Sequence, residues 1–186
     1  MEAGERNVQP PRRRFWFCPK CGGSLDYRQA GERCRLVCGR CSYIMYENPI
    51  VGVAAIVLEG GRILLGRRAA GATYPGLWCI PCGYVEYDED VRAAIVREFR
   101  EETGLIIEPE EVFTVLSNWH NPEVHTVGVW FSARVAGGAV QPGDDIDAVD
   151  YFPLTALPPL AFPTDARVIK MLAGQAQNCK SAKPVL

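Results

Sequence analysis

No stretch of this 186-residue chain approaches the roughly 18 consecutive apolar residues that a membrane-crossing helix needs. The start of the sequence is polar, with Glu2 and Glu5 where a secretory signal would be apolar, so the expected address is the cytoplasm. Histidine is scarce. His120 and His125 are the only two, and both read as surface or strand residues, not as catalysts. Net charge is also low, at −2, which by itself selects no class of partner. No internal repeat is visible, so a solenoid or propeller is not expected.

What is present is ordinary in bulk. Apolar residues make up 48% and charged residues 23%, which places the chain among globular proteins with one domain and an appendage, or two small domains. The charge is unevenly spread. Arg12, Arg13, Arg14, Lys20, Arg28, Arg33, Arg35 and Arg40 face only Asp26 and Glu32 in the same stretch. That excess suits polyphosphate or RNA, or a solvated basic surface. Eight cysteines without a secretion signal point to metal more than to disulfides.

Residues 1–14 read as a flexible tail and residues 15–47 as a cysteine module. Residues 48–174 form the main domain, and residues 175–186 are expected to be a second tail. Ile50 to Leu58 has the signature of a buried strand. Glu59-Gly60-Gly61-Arg62 is a hairpin turn, and a returning strand follows it. A loop rich in glycine and proline leads to a helix expected over 89–103, with Asp88 as its cap, acidic residues in its first turn and Gly104 as its stop. Val91, Ile95 and Phe99 recur on the face that should meet the core. Strands are expected at 112–116, 126–133 and around Asp150-Tyr151-Phe152, and a last helix at 165–173. The outcome is an α/β fold with a mixed sheet between helices.

The central helix carries an electrostatic anomaly. Glu98, Glu101 and Glu102 lie in its last two turns, where the helix dipole is negative and cations are favoured. Their spacing puts them on one face, where they repel one another. Such a cluster suits a hard divalent cation, Mg²⁺ or Mn²⁺, and the alternative is a solvated acidic face paired with Arg97 and Arg100.

Gly83, Glu89, Arg97, Glu98, Phe99, Glu101, Glu102, Gly104 and Leu105 stand at the spacing of the Nudix box, and this stretch resembles that motif. Tyr74-Pro75-Gly76-Leu77-Trp78 and Ile80-Pro81 resemble the loop that leads into it. Cys82, Tyr87 and Asp88 depart from the residues usual at their positions. A positive φ at Cys82 would carry a small strain. Cys79 and Cys82 also form a CxxC pair, read here as accidental. The resemblance implies a Nudix α/β/α sandwich. It also implies a hydrolase acting on phosphorus-containing acid anhydrides, in which Glu98, Glu101 and Glu102 bind the metal. The Cys82 carbonyl is a further ligand candidate, and Arg97 pairs with Glu89. Glu101 is the first candidate for general base, and the acidic loop of Asp144, Asp145 and Asp147 is the second.

Cys18, Cys21, Cys38 and Cys41 form two CxxC pairs sixteen residues apart, a spacing that fits a closed, structural zinc site. Gly22 and Gly39 are expected to allow the turns, and Cys34 to be a small buried residue. The module resembles the zinc ribbon ahead of some Nudix domains, including NADH pyrophosphatases; such ribbons can support a homodimer or touch RNA. Together the two parts resemble pyrophosphatases of ADP-ribose, FAD or NADH. The proline-rich motif usual in the NADH enzymes is missing near Trp119, and Pro122 lies where many ADP-ribose hydrolases place a proline. ADP-ribose is therefore the favoured substrate, with FAD or NADH next, and Tyr84, Trp119 and Phe162 are candidate platforms for the base. The alternative is a nucleotide-sensing, RNA-binding or RNA-cap-processing module.

Overall fold

The structure is a computed structural model that describes residues 13–119, 121 and 123–181, with the backbone alone from 176 onward. The tail at 1–12, His120, Pro122 and residues 182–186 lie outside the described residues. Chain contacts divide the protein into two units, one up to Asn48 and one from Pro49.

The first unit is a three-stranded antiparallel sheet of β1 (Leu25–Ala30), β2 (Arg33–Cys38) and β3 (Ile44–Met45), in that order. Alternation assigns its faces. Leu25, Leu36 and Cys38 turn inward and form a small core with Cys18. Cys34 is exposed, contrary to expectation: it pairs with Gln29 at the outer end of the hairpin, beyond the reach of that core.

In the second unit, β4 (Ile50–Glu59) and β5 (Arg62–Arg68) form the expected hairpin, and Gly60 and Gly61 both take the positive φ of a two-residue turn. Two short strands follow, β6 (Trp78–Cys79) and β7 (Cys82–Tyr84). Helix α1 (Val91–Thr103) comes next, then β8 (Leu105–Asn118), β9 (Thr126–Gly138), β10 (Ile146–Pro153) and helix α2 (Pro163–Ser181). The sheet order is β10-β5-β4-β9-β8, with β6 on β5 and β7 on β4. β4 and β9 run parallel and the other pairs antiparallel, so the sheet is mixed.

Period-two alternation along β4 builds both halves of the core. Val53, Ala55 and Val57 pack with Ile95 and Phe99 of α1. Ala54 and Ile56 pack with Val168, Ile169 and Leu172 of α2. The result is an α/β/α sandwich. No helix among the described residues is long and apolar enough to cross a membrane.

Several boundaries differ from the sequence reading, among them the end of β9 at Gly138, where 133 was expected. Asp90, not Asp88, caps α1, accepting from the backbone N–H of Arg92 at 2.9 Å and Ala93 at 3.3 Å, and the first turn holds no acid. Glu89 is outside the helix because its carboxylate folds back onto Arg97. β8 is longer than expected because irregularities in its register absorb Pro109, which an edge strand tolerates. Helix α2 runs past 174 to Ser181, where a tail was expected. Gly174 lowers helix propensity by about 1 kcal/mol without ending the helix.

Candidate active site and zinc site

Arg97 organises the end of α1. Its Nε and one terminal nitrogen donate to the two oxygens of Glu89 at 2.8 and 2.7 Å. The other terminal nitrogen donates to Glu98 at 2.8 Å and Glu101 at 3.1 Å. A further bond reaches the carbonyl of Tyr84 at 3.2 Å, which ties the helix to β7. Paired in this way, Glu89 is held below the usual carboxylate range by Arg97. Arg97 itself is shifted upward, first by Glu89.

Glu98 and Glu102 lie one turn apart and point at β7. The Glu98 carboxylate rests on the backbone of Gly83, in space that a Cβ would fill. Glu102 is buried and accepts the Cys82 N–H at 2.8 Å. Burial raises the pKa of Glu98, against the pull of Arg97. Burial raises that of Glu102 well above normal, and the nearby charge of Asp145 adds to the effect.

A second set of acids reaches the same place from the loop between β9 and β10. Gln141 N–H donates to the Thr103 carbonyl at 2.8 Å and Gly143 N–H to the Glu102 carbonyl at 3.1 Å. These bonds satisfy carbonyls that a helix end leaves without partners. They also set Asp144, at φ 50°, and Asp145 beside the glutamates. Asp145 Oδ2 pairs with Arg68 at 2.6 Å, while its Oδ1 is buried with no partner among the described residues.

These groups border a cavity of about 490 Å³. Glu98, Glu102, Asp144 and Asp145 are among the acids that line it; Arg68, Tyr74, Tyr84, Trp130, Phe162 and Asp165 are among the other lining residues. Tyr74 meets Phe162 edge-on at 5.9 Å, and the Arg68 guanidinium lies 5.6 Å over the Phe162 ring. Asp165 is buried and accepts the Ile80 N–H at 3.0 Å. Burial raises its pKa to about 7; the Trp130 indole is close enough to oppose the rise, yet is not aligned for a hydrogen bond.

In the first unit the four sulfurs of Cys18, Cys21, Cys38 and Cys41 lie within 4.8 Å of one another. Cys18 and Cys41 are 3.7 Å apart, and Cys21 and Cys38 3.5 Å. Tetrahedral Zn–S bonds of about 2.3 Å would separate sulfurs by about 3.8 Å, so the residues fit that ion. The backbone N–H of Cys41, then that of Arg40, lowers Cys38 to about 6, whereas Cys41, despite the pull of the Tyr43 backbone, is pushed up to about 12 by the neighbouring Cys21 thiol. The crowded sulfurs therefore do not all ionise without a cation among them. Each knuckle closes with a bond to its first cysteine's carbonyl, from Gly22 at 2.9 Å and Ser42 at 3.1 Å. Gly22 and Ser42 take positive φ, so Ser42 fills the role expected of Gly39.

A family model for the NUDIX domain matches residues 48–172. The chain belongs to the Nudix family. Its Nudix domain follows a module that matches the family described as Nudix N-terminal, over residues 16–47. The chain is 36% identical over 129 residues to an ADP-ribose pyrophosphatase of Methanocaldococcus jannaschii, covering 69% of this chain and 75% of that protein. It is 33% identical over 145 residues to the NAD-capped RNA hydrolase NudC of Stutzerimonas stutzeri, covering 77% of this chain and 50% of the relative. It thus spans about half the length of that hydrolase. Among solved structures, a Nudix hydrolase from Nitrosomonas europaea superposes with a TM-score of 0.77 at 28% identity, covering 88% of this chain and 93% of the other. The protein is thus a Nudix pyrophosphohydrolase, a class whose named relatives act on nucleotide derivatives.

Within this Nudix domain, Tyr84 and Phe162 reach the cavity, whereas Trp119 does not line it and stacks on His125 at 3.5 Å. Glu101 is half exposed, held on Arg97 at 3.1 Å, and does not line the cavity. Asp147 is tied to Arg67 at 2.7 Å and does not line the cavity. Cys82 is not among the positive-φ residues, so the expected strain is absent. Cys79 and Cys82 interact through their thiols, with no second cysteine pair beside them among the described residues.

Sequence reading missed Arg68 and Asp165. Arg67 and Arg68 are adjacent on a strand, so one had to face inward, and alternation carried that signal. Asp165 follows Pro163-Thr164 and looks like any first-turn acid of a helix.

Proposed function

We propose that the protein hydrolyses the diphosphate linkage of a nucleoside diphosphate derivative, with ADP-ribose as the favoured substrate and FAD or NADH next. The observation that carries this reading is the set of acids, Glu102 buried and Glu98 and Asp145 half-buried, at one end of a mixed aromatic and polar cavity. Glu98 and Glu102 are displaced upward in pKa, and the buried Asp145 Oδ1 has no partner among the described residues. Glu102 has no ion pair among the described residues, and Glu89, Glu98 and Glu101 share the one Arg97, so acids outnumber cations here, which suits a hard divalent cation. Glu98, Glu101 and Glu102 would hold Mg²⁺ or Mn²⁺, which supplies charge neutralisation on the diphosphate and an acidified water.

The chain's own residues have separable tasks. Glu89 anchors Arg97, and Arg97 sets the directions of Glu98 and Glu101. The Cys82 N–H fixes Glu102. Glu101 is the candidate to take the proton from the attacking water, since it is half exposed and shares the Arg97 guanidinium with Glu98, which borders the cavity. Asp144 is the alternative; Asp145 is less free because Arg68 holds it. Tyr84 and Phe162 are candidate walls for the base, and about 490 Å³ lies within the range of small-molecule sites.

The test is a panel of ADP-ribose, NADH, FAD, dinucleoside polyphosphates and nucleoside triphosphates, assayed with Mg²⁺ and then Mn²⁺. AMP release from ADP-ribose is expected, with most activity lost in Glu101→Gln and Glu102→Gln while the fold persists. Normal turnover by both variants would overturn the assignment. The resemblance to NAD-capped RNA hydrolases favours a second reading, in which the diphosphate sits at the end of an RNA.

A further inference from the structure

The outer face of the first unit's sheet is built against its own stability. Register places Arg28 directly opposite Arg35, and Ala30 opposite Arg33. Like charges across a strand pair repel, and fold stability alone would place an acid at one of them. None of the three arginines forms an ion pair among the described residues; the ion pair of this unit joins Arg13 to Asp26 at 3.8 Å. Along the same face Val37 pairs with Ile44, and both are half-buried. Tyr46 is 55% exposed, and the Arg35 guanidinium lies 4.7 Å over its ring. A shallow hollow of about 400 Å³ runs between Arg33, Arg35, Ile44 and Tyr46, with Glu32 at its edge.

We infer that this face, formed by Arg28, Arg33, Arg35 and Tyr46, binds the backbone and a base of single-stranded RNA. The inference deepens the second reading above and rests on it for the identity of the partner. Guanidiniums with no ion pair among the described residues supply phosphate contacts, and the half-exposed Tyr46 ring, which Arg35 covers from one side, supplies on its other side a platform on which any base can stack. A second copy of the chain is a poor occupant. In a two-fold contact through this face the same three arginines would meet one another, with no acid on either side except Asp26 and Glu32. Double-stranded RNA is also a poor fit, since its bases are stacked away from an outside ring.

The experiment uses the full zinc-loaded chain and a short fluorescein-labelled oligouridine, read by anisotropy across a salt titration. Three phosphate contacts at roughly 0.7 each should contribute about 2 to the slope of log affinity against log salt. Replacing Arg28, Arg33 and Arg35 together by Gln should flatten the slope by that amount, whereas replacing all three by Lys should keep it. Tyr46→Ala should weaken RNA binding on the order of tenfold. It should leave competition by inorganic polyphosphate unchanged, because polyphosphate has nothing to stack. Zinc content and circular dichroism check each variant; if the Gln protein fails to fold, the Lys protein and Tyr46→Ala still decide.

Affinity or slope unaltered in the Gln protein overturns the inference. So does equal loss of RNA and polyphosphate in Tyr46→Ala, or a wild-type dimer that the Gln substitutions dissociate. Hydrolysis of ADP-ribose is measured in parallel and should be the same in all variants. A chain that cleaves ADP-ribose but shows no RNA affinity loses this inference alone. A chain that binds RNA through this face but cleaves no diphosphate loses the hydrolase reading alone.

Discussion

The carboxylate of Glu98 occupies the space that a side chain at Gly83 would need. The glycine is required for its lack of a Cβ, since its φ is not in the left-handed region. Gly83→Ala should therefore push Glu98 off the wall of the cavity. Displacement of a positioning group by about 1 Å costs on the order of 10²-fold in rate. Hydrolysis of ADP-ribose should fall by that much or more, with circular dichroism unchanged.

Arg97 bridges Glu89, Glu98 and Glu101, a task for five donors in a plane. Arg97→Lys keeps the charge but cannot hold all three. Activity should drop at least roughly tenfold, in kcat more than KM, because the carboxylates lose their direction while the cavity remains. Kinetics equal to wild type would show that charge alone suffices.

The raised pKa values of Glu98 and Glu102 set a direction for metal linkage. Each group favours its protonated form in the folded chain, so its stabilising contribution is complete below about 4.5. That contribution is lost as pH rises through the folded value. A divalent cation offsets this loss. The rise in Tm on adding Mg²⁺ or Mn²⁺ should thus grow from acid to neutral pH, measured by thermal melts at matched ionic strength. It should shrink in Glu102→Gln.

Asp165 gives a second, metal-independent dependence. Its pKa rises from 3.8 to about 7, by burial. Between these values the folded chain holds a proton that the unfolded chain has lost, so stability should fall with pH across that window. The slope from this one group is at most roughly 1.4 kcal/mol per pH unit. Asp165→Asn should flatten the pH profile of chemical denaturation in this range; an unaltered profile would assign the titration elsewhere.

Elemental analysis should find one zinc per chain, lost in Cys18→Ser or Cys38→Ser. Those variants should melt lower, because a closed thiolate site supplies folding energy. Adding back Mg²⁺ after chelation should restore hydrolysis but not the zinc.

Much of this molecule is readable from its residues, and the limits have physical causes. The alternation of Val53 to Val57 and the cysteine spacing are local patterns, and each appears in the structure as a face or a cluster. Of the α1 glutamates expected on one face, Glu98 and Glu102 border the cavity, whereas Glu101 lies on Arg97 and does not line it. The length of β8 was hidden because Pro109 and its neighbours look like a break until β9 supplies a partner. Cys34 looked apolar by type, and only the register of the hairpin placed it outside the core. The pairing of Arg68 with Asp145 joins residues far apart in sequence, so no window along the chain could show it. Trp119 was read by its ring, whereas its position depends on how the segment after β8 turns toward His125.

The loop that carries Asp144 and Asp145 is fastened by its own N–H groups to the last carbonyls of α1, and a Cβ at Gly143 would come within 2.6 Å of the Glu101 carbonyl. Insertions or deletions at this β9–β10 connection should therefore behave as active-site mutations, although surface loops usually absorb changes of length. Grafting a sequence here to alter specificity would need to preserve the spacing from Gln141 to Asp145.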